Sequence, residues 1–436
     1  MRLPSAVSRH ALTLGAAALL LPAWAKAAPD PAAAAEVFAQ ARAICQRDNG
    51  ALWGQSLCGP ILLVDYTDRS VVANVADAQG QLTASGPVFV GTLPESVIVA
   101  NTPTQWSGLR WTQLLWPLPT DQAQRQVLIA HELFHRIQPA LKLTRNEVGN
   151  RHLDTLEGRY LLQLEWRALT RALQAPTPEQ KQAAVADALL FRHQRYRLFA
   201  DAALEESQLE INEGVPEYTG VRLGLMDPRE RIAYAVHDLS AFVAAPTFVR
   251  SFAYAGGPAY GLLLDESDPT WRGKLQSGQR LDQLLSAAMA LPAPDLAQLK
   301  TRAAHYDDGT LRTAEESRDN EKRKHLAELK ARLVDGPVLI VPLKKTNRQF
   351  NPQTLQPLGE WGMVYPTLRL TGEWGALQVE SGGALLGDAR ATVSAAGIHS
   401  STVEGDGWKL DLAPGWTVQP GERQGDLIVA PKPSTP

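Results

Sequence analysis

The stretch Ile129-Ala-His-Glu-Leu-Phe-His-Arg-Ile-Gln138 sets two histidines four positions apart, with a glutamate directly after the first. Wound as a helix, Val127, Ala130, Leu133, Phe134 and Ile137 fall on one face, which must be buried. His131 and His135 lie one turn apart on the adjoining strip, with Glu132 beside them. Two imidazoles at that spacing can both reach one zinc ion, and the neighbouring glutamate then faces the water the ion binds. Pro139 stops the helix, so the motif occupies its last turns. Composition alone produces HExxH in a chain like this about once in a hundred. The competing role is two histidines on a half-buried helix, satisfied by nearby carbonyls. Helical context and the apolar flank favour the metal: Zn²⁺ on His131 and His135, with Glu132 as the catalytic base.

A third ligand must come from elsewhere. A glycine three residues after His135 and a histidine three further on would mark one zinc class, but Gln138 and Leu141 stand there. Two later glutamates are candidates. Glu213 lies in Leu209-Glu-Ile-Asn-Glu-Gly-Val-Pro-Glu-Tyr218, with Glu217 one turn further along the same face. Glu157 lies in Leu153-Asp-Thr-Leu-Glu-Gly-Arg-Tyr160, where the helical wheel puts it amid Leu153, Leu156, Tyr160, Leu161 and Leu164. A carboxylate there needs a metal, a histidine or an arginine, and Arg159 and Arg167 make a structural ion pair the alternative.

HELFH together with NEGVPEY resembles the gluzincin-type zinc metallopeptidases, the aminopeptidase N-like and thermolysin-like zincins, over about Arg125 to Leu264. The resemblance implies Glu213 as third ligand and Glu217 as an acidic residue behind the ligands, leaving Glu157 a supporting or packing role. Pro216 departs from the pattern, because it fits only the opening of a helix. The interval after His135 is also longer than in those relatives. Ser251 to Gly261 (SFAYAGGPAYG) is similar to the tyrosine-glycine segment of several gluzincins. By that likeness Tyr254 or Tyr260 would donate to a developing oxyanion; packing of a helix start is the other role open to each. His237, alone on its helix, reads as structural.

The implied enzyme is a zinc metallopeptidase with a peptide or protein substrate, in which Glu132 takes a proton from water and passes it to the leaving amine. Ser96–Ala100 is the candidate for a substrate-aligning edge strand. Two other classes compete: a zinc hydrolase of a non-peptide substrate such as a cell-wall amide, and a non-catalytic binding protein working through its C-terminal β domain. An intact Glu132 argues against the second.

The frame around the motif is α+β. Residues 1–27 read as a signal peptide, with Arg2 and Arg9 before an apolar run and small-x-small cleavage patterns at Ala23–Ala27, so the mature chain is expected to be periplasmic or secreted. No later segment is long and apolar enough to span a membrane. With 43 basic and 46 acidic side chains the net charge is −3, which gives no electrostatic reason to invoke nucleic acid or a membrane surface. Cys45 and Cys58, the only cysteines, read as a disulfide. Closing such a loop stabilises by about 3 kcal/mol on the chain-entropy model. Residues 28–120 form the N-terminal α/β part of the zincin domain, beginning with a helix over Ala33–Cys45 and a hairpin of Ile61–Tyr66 with Val71–Ala73. Strands are expected at Pro87–Val90 and Ser96–Ala100, and a loop-rich stretch around Trp106, Trp111 and Trp116. Residues 121–311 are the helical core. Residues 312–335 read as a solvated linker helix with a thin seam of Leu326, Leu329 and Leu333. Short alternating strands over 336–434 indicate an all-β domain, its partner left open.

Overall fold

Ile61-Leu-Leu-Val-Asp65 is apolar at four successive positions, the pattern of a strand buried on both faces. In the computed structural model of the chain it is β1 (Ile61–Asp65), with every residue buried. Described are residues 29–144, 149–276, 279–351, 354–398 and 403–433; the expected signal peptide lies outside them. β1 pairs antiparallel with β2 (Ser70–Ala73), as the hairpin reading expects, and parallel with β6 (Leu109–Trp116). With β3 (Thr83–Ser85), β4 (Val88–Thr92) and β5 (Thr102–Trp106) they make a six-stranded sheet in the order β3-β4-β2-β1-β6-β5.

Two expectations here are corrected. The tryptophan-rich stretch is a β-hairpin, β5–β6, closed by Ser107 and Gly108, both at positive φ (45° and 82°) as a tight two-residue turn requires. Ser96–Ala100 is not a strand. Its carbonyls are taken by side chains: the Gln113 amide donates to Ile98 O at 3.0 Å and Ala100 O at 2.6 Å, and Arg69 donates to Val97 O. The sheet edge is therefore β5.

α1 (Pro31–Asp48) opens on Asp30, whose carboxylate accepts from Ala33 N, and the Cys45–Cys58 disulfide ties its last turn to the loop before β1. α2 (Gln122–Ile137) starts at its cap Asp121 and carries the histidine motif. A helical series follows: α3 (Leu156–Leu173), α4 (Pro178–Leu198), α5 (Ala202–Leu209), a π-turn at Glu210–Gly214, α6 (Val215–Gly224), α7 (Pro228–Ala241) and α8 (Ser251–Ser267). The shorter α9 (Trp271–Gln276), α10 (Leu281–Ala288) and α11 (Leu299–Ala303) complete it. No described helix is long and apolar enough to cross a membrane.

The chain divides into two compact units, one ending at Tyr306 and one beginning at Asp307. The second holds a seven-stranded and a five-stranded sheet around Leu339, Val341, Leu370, Trp374, Leu377 and Trp408. Its charge-dense helix α12 (Thr310–Lys330) is solvated along most of its length, and only its last turns and the turn after it dock on the strands. The seam of Leu326, Leu329 and Leu333 packs on Leu358, Val364 and Leu385 of the same β unit. A thin apolar stripe suffices because one helix face meets one sheet face.

Candidate metal centre

α2 buries Val127, Ala130, Leu133, Phe134 and Ile137, the face read from the sequence, together with His131 and Glu132. α6 lies against it at glycine distance. A Cβ at Gly220 would stand 2.6 Å from the Val127 carbonyl oxygen, and one at Gly224 2.8 Å from the Gln126 carbonyl carbon. Only residues without a side chain let the two backbones approach so closely. That approach carries Glu213 and Glu217 to the histidines.

His131 Nε2 and His135 Nε2 are 3.0 Å apart, and Glu213 Oε2 is 3.7 Å from each. Donors bonded to one tetrahedral zinc at 2.0–2.1 Å would be separated by about 3.3 Å. The triangle is thus already near the size that the ion needs. Each imidazole is oriented through its other nitrogen. His131 Nδ1 is 2.6 Å from Glu217 Oε2, and His135 Nδ1 is 2.8 Å from Gln138 Oε1. With Nδ1 donating to those acceptors, both Nε2 lone pairs are left for a common cation.

Gln138 in turn donates from Nε2 to the carbonyls of Leu143 (3.0 Å) and Ile211 (2.9 Å). This accounts for Pro216. In the π-turn Val215 N–H bonds to Glu210 O, and the next donor in that pattern would be residue 216 onto Ile211 O. Proline has no N–H, so the Ile211 carbonyl goes to Gln138 instead. The residue that departs from the gluzincin-like pattern leaves an acceptor that fixes His135.

On the other side α8 meets the π-turn through Gly214 and Gly257: a Cβ on Gly257 would stand 2.2 Å from Gly214 O. α8 thereby brings Tyr254 and Arg250 onto Glu213. Tyr254 donates to Glu213 Oε2 at 2.6 Å and lies parallel to the His131 ring, with centroids 5.8 Å apart; Arg250 donates to Glu213 Oε1 at 3.0 Å. Burial opposes charge on Glu213, but the two imidazoles beside it and the Tyr254 hydroxyl hold its carboxyl well below the usual range. Burial likewise opposes charge on His131, yet Glu213 and Glu217 push it up to about 10. Glu132 is buried and its pKa is raised, by burial first; the two histidines pull it down, and Glu213 and Glu217 push it up. Its Oε2 has no hydrogen-bond partner among the described residues. Three carboxylates around two imidazoles make a nest that favours a cation.

A cavity of about 390 Å³ opens on this cluster, lined also by Asn101, Thr102 and Pro103 of the sheet edge, Leu128 of α2 and Tyr234 of α7. Sequence reasoning missed Gln138, Tyr234 and Arg250. Each is an ordinary polar residue far from the motif or just past it, and only packing gives it a task.

Three sequence candidates stand elsewhere. Glu157 is a half-buried residue of the first turn of α3, outside the cluster and the cavity lining. Thr155 caps that helix by accepting from Gly158 N, so Leu153 belongs to a preceding turn, while Leu156, Tyr160, Leu161 and Leu164 share α3 with Glu157. Tyr260 is fully buried and donates to Glu165 at 2.9 Å, so it faces a buried ion-pair network and not the cavity. His237 stands exposed on α7. Compared with protein-family models, curated proteins and solved structures, the chain matches none.

Proposed function

We propose that the chain is an exported zinc-dependent metallopeptidase of gluzincin type, with His131, His135 and Glu213 as ligands and Glu132 as general base. The observation that carries this is the three-donor triangle of 3.0–3.7 Å edges, with the buried Glu132 whose Oε2 has no hydrogen-bond partner among the described residues. Zinc bound there would supply Lewis acidity, polarising a carbonyl and drawing the pKa of water towards about 7.

The chain's own residues do the rest. Glu132, which lines the cavity and has its pKa raised by burial, accepts a proton from water and returns it to the leaving amine. Glu217 and Gln138 hold the imidazoles in one tautomer. Tyr254 holds the carboxylate of Glu213 and takes the supporting place instead of the oxyanion role that its sequence neighbourhood implied. Tyr234 lines the same cavity, and we assign its hydroxyl as the donor to a developing oxyanion.

Substrate alignment falls to β5. Thr112 N–H is turned to β1, where it donates to Pro60 O, so the Thr112–Pro103 pair is a non-bonded one and Pro103 presents its carbonyl at the open edge. An extended peptide can add there as a further strand. The disulfide fits an oxidising compartment, periplasmic or extracellular. Protein purified without chelator should contain one zinc per chain and cleave members of a peptide library. A chelator should abolish cleavage and zinc restore it. Metal-free protein that nonetheless hydrolyses peptides would sink the proposal, and cleavage confined to cell-wall amides would move it to a different substrate.

A further inference from the structure

Away from the metal centre, a second cavity of about 640 Å³ lies among α3, α4 and the residues after α11. Its walls include Arg167, Arg171, Arg302 and His305, with one carboxylate, Asp187. None of them lines the metal cavity. Asp187 is fully engaged: Arg302 Nε donates to Oδ1, and Tyr306 OH donates to Oδ2 at 2.8 Å. Arg167 and Arg171 are held differently. Arg167 Nη1 donates to Tyr306 O at 2.6 Å and Arg171 Nη2 to His305 O at 3.0 Å, while the Arg171 guanidinium lies 4.4 Å above the Tyr306 ring.

Main-chain carbonyls fix the position of these two cations without neutralising them. Among the described residues neither is paired with a carboxylate. They stand one turn apart on α3, where like charges repel. Each guanidinium has five N–H groups, of which one is used here, and its planar fork suits a tetrahedral oxyanion. We propose that this cavity is a binding site for a phosphate-type dianion, free or as a small phosphomonoester. Two fixed positive charges match its charge, and the open volume leaves room for an ester substituent. The site is independent of the reading of the metal centre.

The test uses the full chain and follows the melting temperature with sodium phosphate against sodium chloride at matched ionic strength. A saturable rise with phosphate alone is expected, with half-saturation weakened about tenfold or more in Arg167→Gln/Arg171→Gln. Both side chains are exposed, and circular dichroism verifies that the variant folds. Arg69→Gln, another arginine anchored by carbonyls but outside the cavity, should leave the response unchanged. Glycerol 2-phosphate giving the same response assigns a phosphomonoester; inorganic phosphate alone giving it assigns the free ion. A response that chloride reproduces, that never saturates, that the double variant retains or that Arg69→Gln also loses overturns the site.

Discussion

Glu132 is buried and its Oε2 has no hydrogen-bond partner among the described residues; the proposed mechanism makes it the general base. Glu132→Gln should therefore keep zinc while losing hydrolysis by on the order of 100-fold or more, the usual scale of a lost general base. Metal analysis and turnover on the same sample check it; unchanged turnover would refute the mechanism, and loss of zinc would give Glu132 another role. Glu213 and Glu157 separate as sharply. Glu213→Ala leaves zinc with two imidazoles, an incomplete shell, and should lose the metal almost as fully as His131→Ala. Glu157→Ala stands outside the cluster and should keep it. A folded, metal-free Glu157→Ala beside a zinc-replete Glu213→Ala would reverse the assignment. His131, Glu132 and His135 were legible because one helix fixes their spacing. Glu213 was legible through its neighbours. Local pattern left Glu157 open as the alternative ligand; the packing of α6 on α2 sets Glu213, and not Glu157, beside the histidines.

Between elements, the centre depends on how closely α2, α6 and α8 approach. Gly220→Val would drive a side chain into the Val127 carbonyl and push α6 away, carrying Glu217 off His131 and Glu213 off the triangle. Zinc affinity should fall by more than about tenfold even where circular dichroism remains helical. Gln138→Leu tests the second link. It frees His135 to rotate and leaves the Ile211 carbonyl unpaired, so zinc affinity should fall by about 10- to 100-fold. Wild-type affinity in Gln138→Leu would show that His135 needs no such support. Neither link could be read from sequence. A glycine at 220 looks like any helix-weakening glycine, and Gln138 looks like the residue before a proline.

At the scale of the first unit, a buried network joins α3, α4, α5 and the π-turn: Arg195 donates to both oxygens of Glu206 at 2.6 Å and to Glu165 at 2.8 Å, while Arg192 donates to Glu165 at 2.9 Å and bridges to Glu210. Burial opposes the charge on Glu206, but Arg195 and then His152 hold its pKa down at about 2. A depressed carboxylate contributes stability that is fully present above its ordinary value near 4.5 and is lost as pH falls through about 2. That contribution is about 3 kcal/mol at one unit per 1.36 kcal/mol. Urea unfolding at pH 5 and at pH 2.5 should show a steeper loss in wild type than in Glu206→Gln. Equal slopes would mean that Glu206 is not held ionised by the network.

Local features are legible in the amino-acid order alone: the α+β division, the helix of the histidine motif and its buried face, the β1–β2 hairpin, the cysteine pair and the strand-rich end. Each follows from periodicity, capping or composition within a few turns of chain. Long-range packing sets the rest: β5 and not Ser96–Ala100 is the sheet edge, the last turns of α12 dock on its own β unit, and Tyr260 turns to Glu165 while Tyr254 turns to Glu213. The two tyrosines lie on one helix six residues apart, so local pattern treats them alike. What differs is the surface each meets, a glycine-thin approach to the π-turn for one and a buried arginine network for the other. Those surfaces come from residues far along the chain, and contacts of that range carry no signature in the stretch that receives them.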